Sequence, residues 1–246
     1  MIPSYIRLGI RLGIRLGSGL VVALWLASCG LISSDVTNFD LTLPDKKFSI
    51  DTAGWQVDSN AANLYLAQSC TTSTTCNAAV TQACKAGCSG SCDLSGTPHT
   101  CDLSLDVNLL QPVDLVMEKP ELKTINDEPV IKVTIDSVTY EVTNNTLNVD
   151  TPVINVYVAP MSAIKSTDPM AKLIGTILPV RAGQTTTGPQ PIMFTPTGKA
   201  DLVNIMSTFK TPFNVLVGSS LVVKSGQPVP TGKLDAVVHI KGHAGL

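Results

Sequence analysis

The chain has 246 residues, enough for one domain or one domain with an insertion, and its 17 basic residues nearly balance 19 acidic ones. A formal charge of −2 with only 15% charged residues supplies no basic stripe for nucleic acid. Abundant Val, Thr, Leu and Pro suit a β-rich domain.

The first 28 residues have the layout of a secretory signal. Arg7, Arg11 and Arg15 sit in a tandem Ile-Arg-Leu-Gly repeat without an acid, and residues 18–28 form an uncharged apolar run. That run is too short to span a bilayer, which takes about 20 apolar residues, and extending it backwards meets Arg15. It ends in Leu26-Ala27-Ser28-Cys29. This stretch resembles the lipobox of bacterial lipoproteins: an aliphatic residue, two small ones, then the cysteine. The resemblance covers about residues 1–30 and implies cleavage before Cys29, acylation of its thiol and new amino group, and a membrane partner held through lipid. Gly30, rather than Asp, follows the anchor, which under the enterobacterial sorting rule points to the outer membrane of the cell envelope. Residues 29–37 would be the lipidated tether and residues 38–246 the folded domain. With the signal arginines gone, 14 basic residues face 19 acids, an acidic balance that disfavours nucleic acid and anionic lipid as partners.

The domain opens with alternating Phe39, Leu41 and Leu43, a Pro44-Asp45-Lys46 turn, then Phe48 and Ile50, a pattern that predicts a hairpin. Trp55 and Val57 would extend its second strand past Gly54. Residues 60–101 turn to Ser, Thr, Ala, Gly and Cys, with few large apolar side chains after Tyr65 and Leu66. They read as an insertion held by cross-links, with one short helix over 75–86. Leu103, Leu105, Val107 and Leu109 alternate as a strand. Ile131, Val133 and Ile135 share one phase, and Val138, Tyr140 and Val142 the other, which predicts a β-bulge near Asp136-Ser137. Asn144-Asn145 should turn the chain towards Leu147 and Val149. Ile154, Val156 and Val158 predict a strand stopped by Pro160; a loop follows over 160–171, then a strand from Leu173 to Val180. Past a polar loop and Ile192 and Phe194, Leu202, Val203, Ile205, Met206 and Phe209 fall on one arc of a helix over 199–210 ended by Pro212. Strands at 213–223 and 234–240 complete a mainly β chain, expected to be an antiparallel β-sandwich with one late helix and a disulfide-rich insertion.

With Cys29 set aside for lipid, six cysteines remain: Cys70, Cys76, Cys84, Cys88, Cys92 and Cys101. An exported chain favours disulfides, and six thiols allow about 15 connectivities. A metal site is the competing reading, because Cys84, Cys88 and Cys92 would line one helical face. Gly87 and Gly90 work against that helix, and no Cys-x2-Cys pair is present. Because the predicted strands contain no cysteine, reduction should loosen residues 60–101 while leaving most of the sandwich intact. Deleting residues 70–101 should likewise spare the sandwich.

Catalytic constellations are sparse. No nucleophile elbow, phosphate-binding glycine loop, dinucleotide fingerprint or EF-hand loop occurs, and no cofactor is implied. His99 falls in the Cys-rich segment. His239 and His243 lie four apart on a strand, about 13 Å at 3.3 Å per residue, too far for one metal ion. His239 should share a solvent face with Lys233, Asp235 and Lys241. Gly218-Ser219-Ser220 lies within an apolar strand, where a nucleophile is poorly presented. Asp102, Asp106 and Asp114 recur near one strand without calcium-loop order. The expectation is therefore a non-catalytic, lipid-anchored binding or structural module facing another envelope protein. A carrier of an apolar ligand between the sheets is the alternative, and an envelope hydrolase comes third.

Overall fold

In the computed structural model, residues 38–124 and 131–245 are described. The signal, Cys29 and the tether lie outside them. Two antiparallel sheets carry the fold. In the first, β11 (Lys233–Gly245) is flanked on one side by β5 (Lys132–Asn145) and on the other by β1 (Asn38–Asp40) and β2 (Lys46–Asp51); β8 (Gln190–Pro191) extends β5. The second runs β3 (Cys88–Asp93), β4 (Thr100–Val113), β10 (Phe213–Val223), β6 (Ile154–Pro160), β7 (Lys172–Ile177), β9 (Met193–Phe194). The inward residues of both sheets, such as Phe48, Ile135, Tyr140 and Ile240 from the first and Leu105, Val156, Ile174 and Val217 from the second, form one buried cluster. The mainly β, two-sheet architecture expected from the alternation is the one observed.

The bulge is where the phase change puts it. Lys241 pairs with Ser137 and Gly242 with Ile135, so Asp136 is the extra residue, and Val133, Ile135, Val138, Tyr140 and Val142 all reach the core. A second irregularity at Thr143 lets the strand run on to Asn145, which is buried rather than turning the chain. Its side-chain amide donates to the Arg181 and Gln184 carbonyls and its oxygen accepts from Leu147 N–H, fixing the polar loop to the sheet.

The hairpin over 39–50 does not form. Leu41 and Leu43 donate to the carbonyls of Gly242 and Ile240, both at 2.9 Å, and Lys46 to Asp51 pair with the first half of β11. The two halves lie in series along one partner, a broken edge strand. Pro44-Asp45 shifts the phase instead of reversing direction: Leu41 and Leu43 face inward before it, and Lys46, Phe48 and Ile50 after it. Lys46 is buried and paired with Glu118, whose helix α3 (Leu115–Glu118) is capped by Asp114. Trp55 does not extend β2 either; residues Thr52–Trp55 form a 3-10 turn capped by Asp51.

The Cys-rich segment is more ordered than its composition suggests. α1 (Ser59–Leu66) starts where the Asp58 carboxylate accepts from Ala61 N–H, and buries Ala62, Tyr65 and Leu66. α2 (Ser73–Ala83) buries Cys76, Val80 and Ala83 at helical spacing and packs on α1 and β3. These side chains join the same buried cluster as the sheets, so the segment continues the core rather than standing on it. The pairs are Cys70–Cys92, Cys76–Cys101 and Cys84–Cys88. Three of these cysteines are in strands: Cys88 and Cys92 in β3, Cys101 in β4. The expectation that the strands are free of cysteine is corrected, because β4 begins at Thr100 and not at Leu103.

The late helix is α4 (Gly198–Ser207), with Leu202 and Met206 buried against β5, β6 and β7. β10 is the central strand of its sheet and is buried on both faces from Phe213 to Gly218. Its outer face is covered there by the chain after β6: Asn214 donates to the Met161 and Ala163 carbonyls, and Leu216 packs with Ala159 and Ala163. From Ser219 onward that cover ends, and an outer face opens.

Candidate functional site

The residues with chemical potential are dispersed. His99 is exposed, and its carbonyl accepts from Cys70 N–H. His239 holds Asp45 through Nδ1 at 2.7 Å, with Glu141 4.0 Å from Nε2. His243 faces Asp136, the bulge residue, at 3.2 Å. His239 and His243 each have their own carboxylate on the first sheet, and the two do not converge. Ser219 donates to the Val153 carbonyl at 2.7 Å. Asp235 is held by Asn144, Ser49 and Lys233, whose hydrogen bonds bring its carboxyl down to about 2. The sulfurs of Cys70, Cys76 and Cys92 lie within 4.8 Å of one another, but all three are in disulfides and offer no thiolate.

The three acids near β4 also part company. Asp114 caps α3, Asp106 is exposed, and Asp102 is buried with one carboxylate oxygen lacking a hydrogen-bond partner. Burial raises the Asp102 carboxyl above its ordinary 3.8, opposed by Lys224 and reinforced by Asp93, which itself binds Lys224 at 2.8 Å. A raised acid is favourable to the fold while protonated, and that contribution is lost as pH rises through its folded value. Asp102→Asn should therefore raise the melting temperature at pH about 7 and change little at pH about 3, where the carboxyl is neutral in both states. Thermal melts at the two pH values check this; an equal gain at both would refute the burial account.

One concave feature gathers polar groups. A groove of about 790 Å³ opens where the cover on the second sheet ends. That volume is within the roughly 300–1,000 Å³ of small-molecule sites. Its floor is β4, β10 and β6: Asp106 pairs with Ser220, and Asn108 and Asn155 flank Gly218. One wall is the loop carrying Lys165, Ser166 and Thr167. The amide of Asn108 holds that wall, accepting from Ser166 N–H at 2.9 Å and reaching the Ile164 carbonyl at 3.4 Å. Gly218 is needed for the fit, since a Cβ there would lie 2.3 Å from the Ser166 hydroxyl and 3.4 Å from the Tyr157 ring.

The opposite wall is built by Trp55 and the small disulfide loop. Trp55 Nε1 donates to the Asp106 carbonyl at 2.9 Å, and its own carbonyl accepts from Lys85 and Ala86. Gly87, at φ +63, lies against the indole and accepts from Asp106 N–H at 2.7 Å. The Cys84–Cys88 bridge thus closes a five-residue loop that forms groove wall. The side chains of Asp106, Asn155, Tyr157, Lys165, Thr167 and Ser220 line the groove and have no hydrogen-bond or ion-pair partner among the described residues. No histidine lines it.

Compared with protein-family models, with curated proteins and with solved structures, the chain finds no match in any of the three. Among the described residues, no helix is long and apolar enough to cross a membrane.

Proposed function

We propose that this protein is a lipid-anchored component of the bacterial envelope, on the outer-membrane side, whose β-sandwich is a non-catalytic binding module. The groove beside Trp55 is its binding site. The observation that carries the binding half is the concavity itself, about 790 Å³ on the outer face of the second sheet, with polar side chains in its lining that are free to meet a ligand. Serines 219 and 220 line it, but the Ser219 hydroxyl is committed to the Val153 carbonyl and the Ser220 hydroxyl is bonded to no base among the described residues, whereas a serine nucleophile needs one within hydrogen-bond reach. A carrier between the sheets is less well supported: the apolar gap near Ile50, Leu147 and Leu221 measures about 20 Å³, room for roughly one water molecule. The Cys-rich segment, expected from its composition to be a cross-linked insertion, contributes groove wall and core. Deleting residues 70–101 would remove β3 and the start of β4, so point changes in the groove are the sound test.

The anchor rests on Leu26-Ala27-Ser28-Cys29. One acyl chain binds membranes marginally, at about 0.8 kcal/mol per buried methylene, and several give stable attachment. Intact mass of protein extracted from membranes should show Cys29 as the first residue, carrying acyl chains, and Cys29→Ala should carry none. Retention of residues 1–28 on the mature wild-type protein, or an unmodified Cys29, would end the idea. For the groove, a photo-crosslinking residue at Thr167 should form adducts in intact cells, while one at exposed Thr134 on the other sheet should not. Equal labelling from both positions would remove the groove from the proposal.

A further inference from the structure

We infer that the groove takes an uncharged, polyhydroxylated ligand, a short neutral glycan; this rests on the groove being the binding site. The charges in its lining are few. Asp106 and Lys165 oppose one another, and Asp51 has a carboxylate oxygen committed to Ala53 N–H at 2.9 Å. A polyanion would meet one cation among these acids, and a polycation would meet Lys165. Neither is matched.

The remaining groups both donate and accept. The Asn155 amide and the hydroxyls of Thr167, Ser220 and Tyr157 each offer both roles. They suit a partner that also donates and accepts at successive positions, which is what ring hydroxyls do. An apolar ligand would desolvate the same groups without giving hydrogen bonds in return. The half-buried Tyr157 ring, packed by Gly218, adds an apolar surface with a polar tip, matched to the C–H faces and hydroxyl edges of a sugar.

An extended peptide fits this groove less well. Strand addition uses a free sheet edge. Here the floor strand β10 pairs with β4 throughout and with β6 as far as Gly218, so only Ser219 and Ser220 offer a short stretch of backbone free of β6, and side chains supply most of the open hydrogen-bonding capacity.

The test is calorimetry on the full-length lipidated protein in a detergent that contains no sugar. The probes are tri- to hexasaccharides of glucose, mannose and N-acetylglucosamine, with a sulfated oligosaccharide and an unstructured peptide as comparisons. At least one neutral oligosaccharide should bind, and Asn155→Ala and Tyr157→Ala should each weaken it about tenfold or more. Thr134→Ala should leave it unchanged, with melting curves verifying that each variant is folded. Binding only of the sulfated probe or of the peptide would overturn the inference, as would saccharide binding that ignores both variants. If no saccharide binds while the Thr167 crosslinker still gives adducts that the Thr134 position lacks, the glycan assignment fails and the groove survives. If the adducts are missing as well, both fail.

Discussion

Reduction of the purified protein is expected to move its whole unfolding transition to lower temperature, as one cooperative event. Cys70–Cys92 and Cys76–Cys101 close 22- and 25-residue separations, which in the chain-entropy account contribute about 3–4 kcal/mol each. They interleave, so their contributions overlap and do not simply add. Even one such term is a large part of the 5–15 kcal/mol that stabilises a typical domain. Their position decides whether the loss stays local. Cys92 lies opposite Cys101 across the β3–β4 ladder, and β4 continues for twelve residues beyond Cys101 as a strand of the main sheet. Cys76, Cys84 and Cys101 belong to the same buried cluster as Leu103 and Leu105. Loosening the helices therefore exposes the inner face of β4. Calorimetric scans with and without reductant distinguish the outcomes: a single shifted peak supports the shared core, whereas an early minor peak with the main one unmoved would restore the separable insertion.

Much of the sheet was legible because burial on one face imposes a period of two. The phase slip at Asp136, the limits of β10 and the position of α4 all follow from side chains that must reach one core. What local pattern cannot show is which strand an edge joins. Leu41-Thr42-Leu43 and Phe48-Ser49-Ile50 alternate equally well as a hairpin or as two halves of one edge. The length of β11 decides, and that length was hidden by Gly242 and His243, which look like a frayed tail. α1 has a local signal, Asp58 three residues before Ala61, but the polar composition around it hides the helix. The groove had none. Its lining comes from six segments between Ser49 and Ser220, each unremarkable alone, and only the packing of two sheets and a loop brings them together. The three acids near β4 illustrate the same limit from the other side: close in sequence, they end in a core, a groove and a helix cap.

Trp55→Ala is expected to cost about 3–5 kcal/mol and to abolish ligand binding in the groove, the largest loss from any single change there. The indole is 7% exposed and packs within the main cluster. Its removal leaves a cavity between β2 and β4 that the paired backbones on either side cannot close. It also strips the Asp106 carbonyl of its indole donor and leaves Gly87 without the ring it lies against. Those are the contacts that place the disulfide loop on β4, so stability and groove geometry should fail together. Trp55→Phe separates the two contributions: it restores most of the apolar volume but cannot donate to Asp106, and should cost about 1–2 kcal/mol from the unmade hydrogen bond and imperfect fit. Chemical denaturation of both variants provides the comparison. An alanine loss below about 1 kcal/mol would mean that Trp55 merely borders the groove, and its wall would have to be held by the Cys84–Cys88 bridge and the Asp106–Gly87 bond alone, whereas equal large losses for the two would assign the effect to the indole donor and not to the volume it fills.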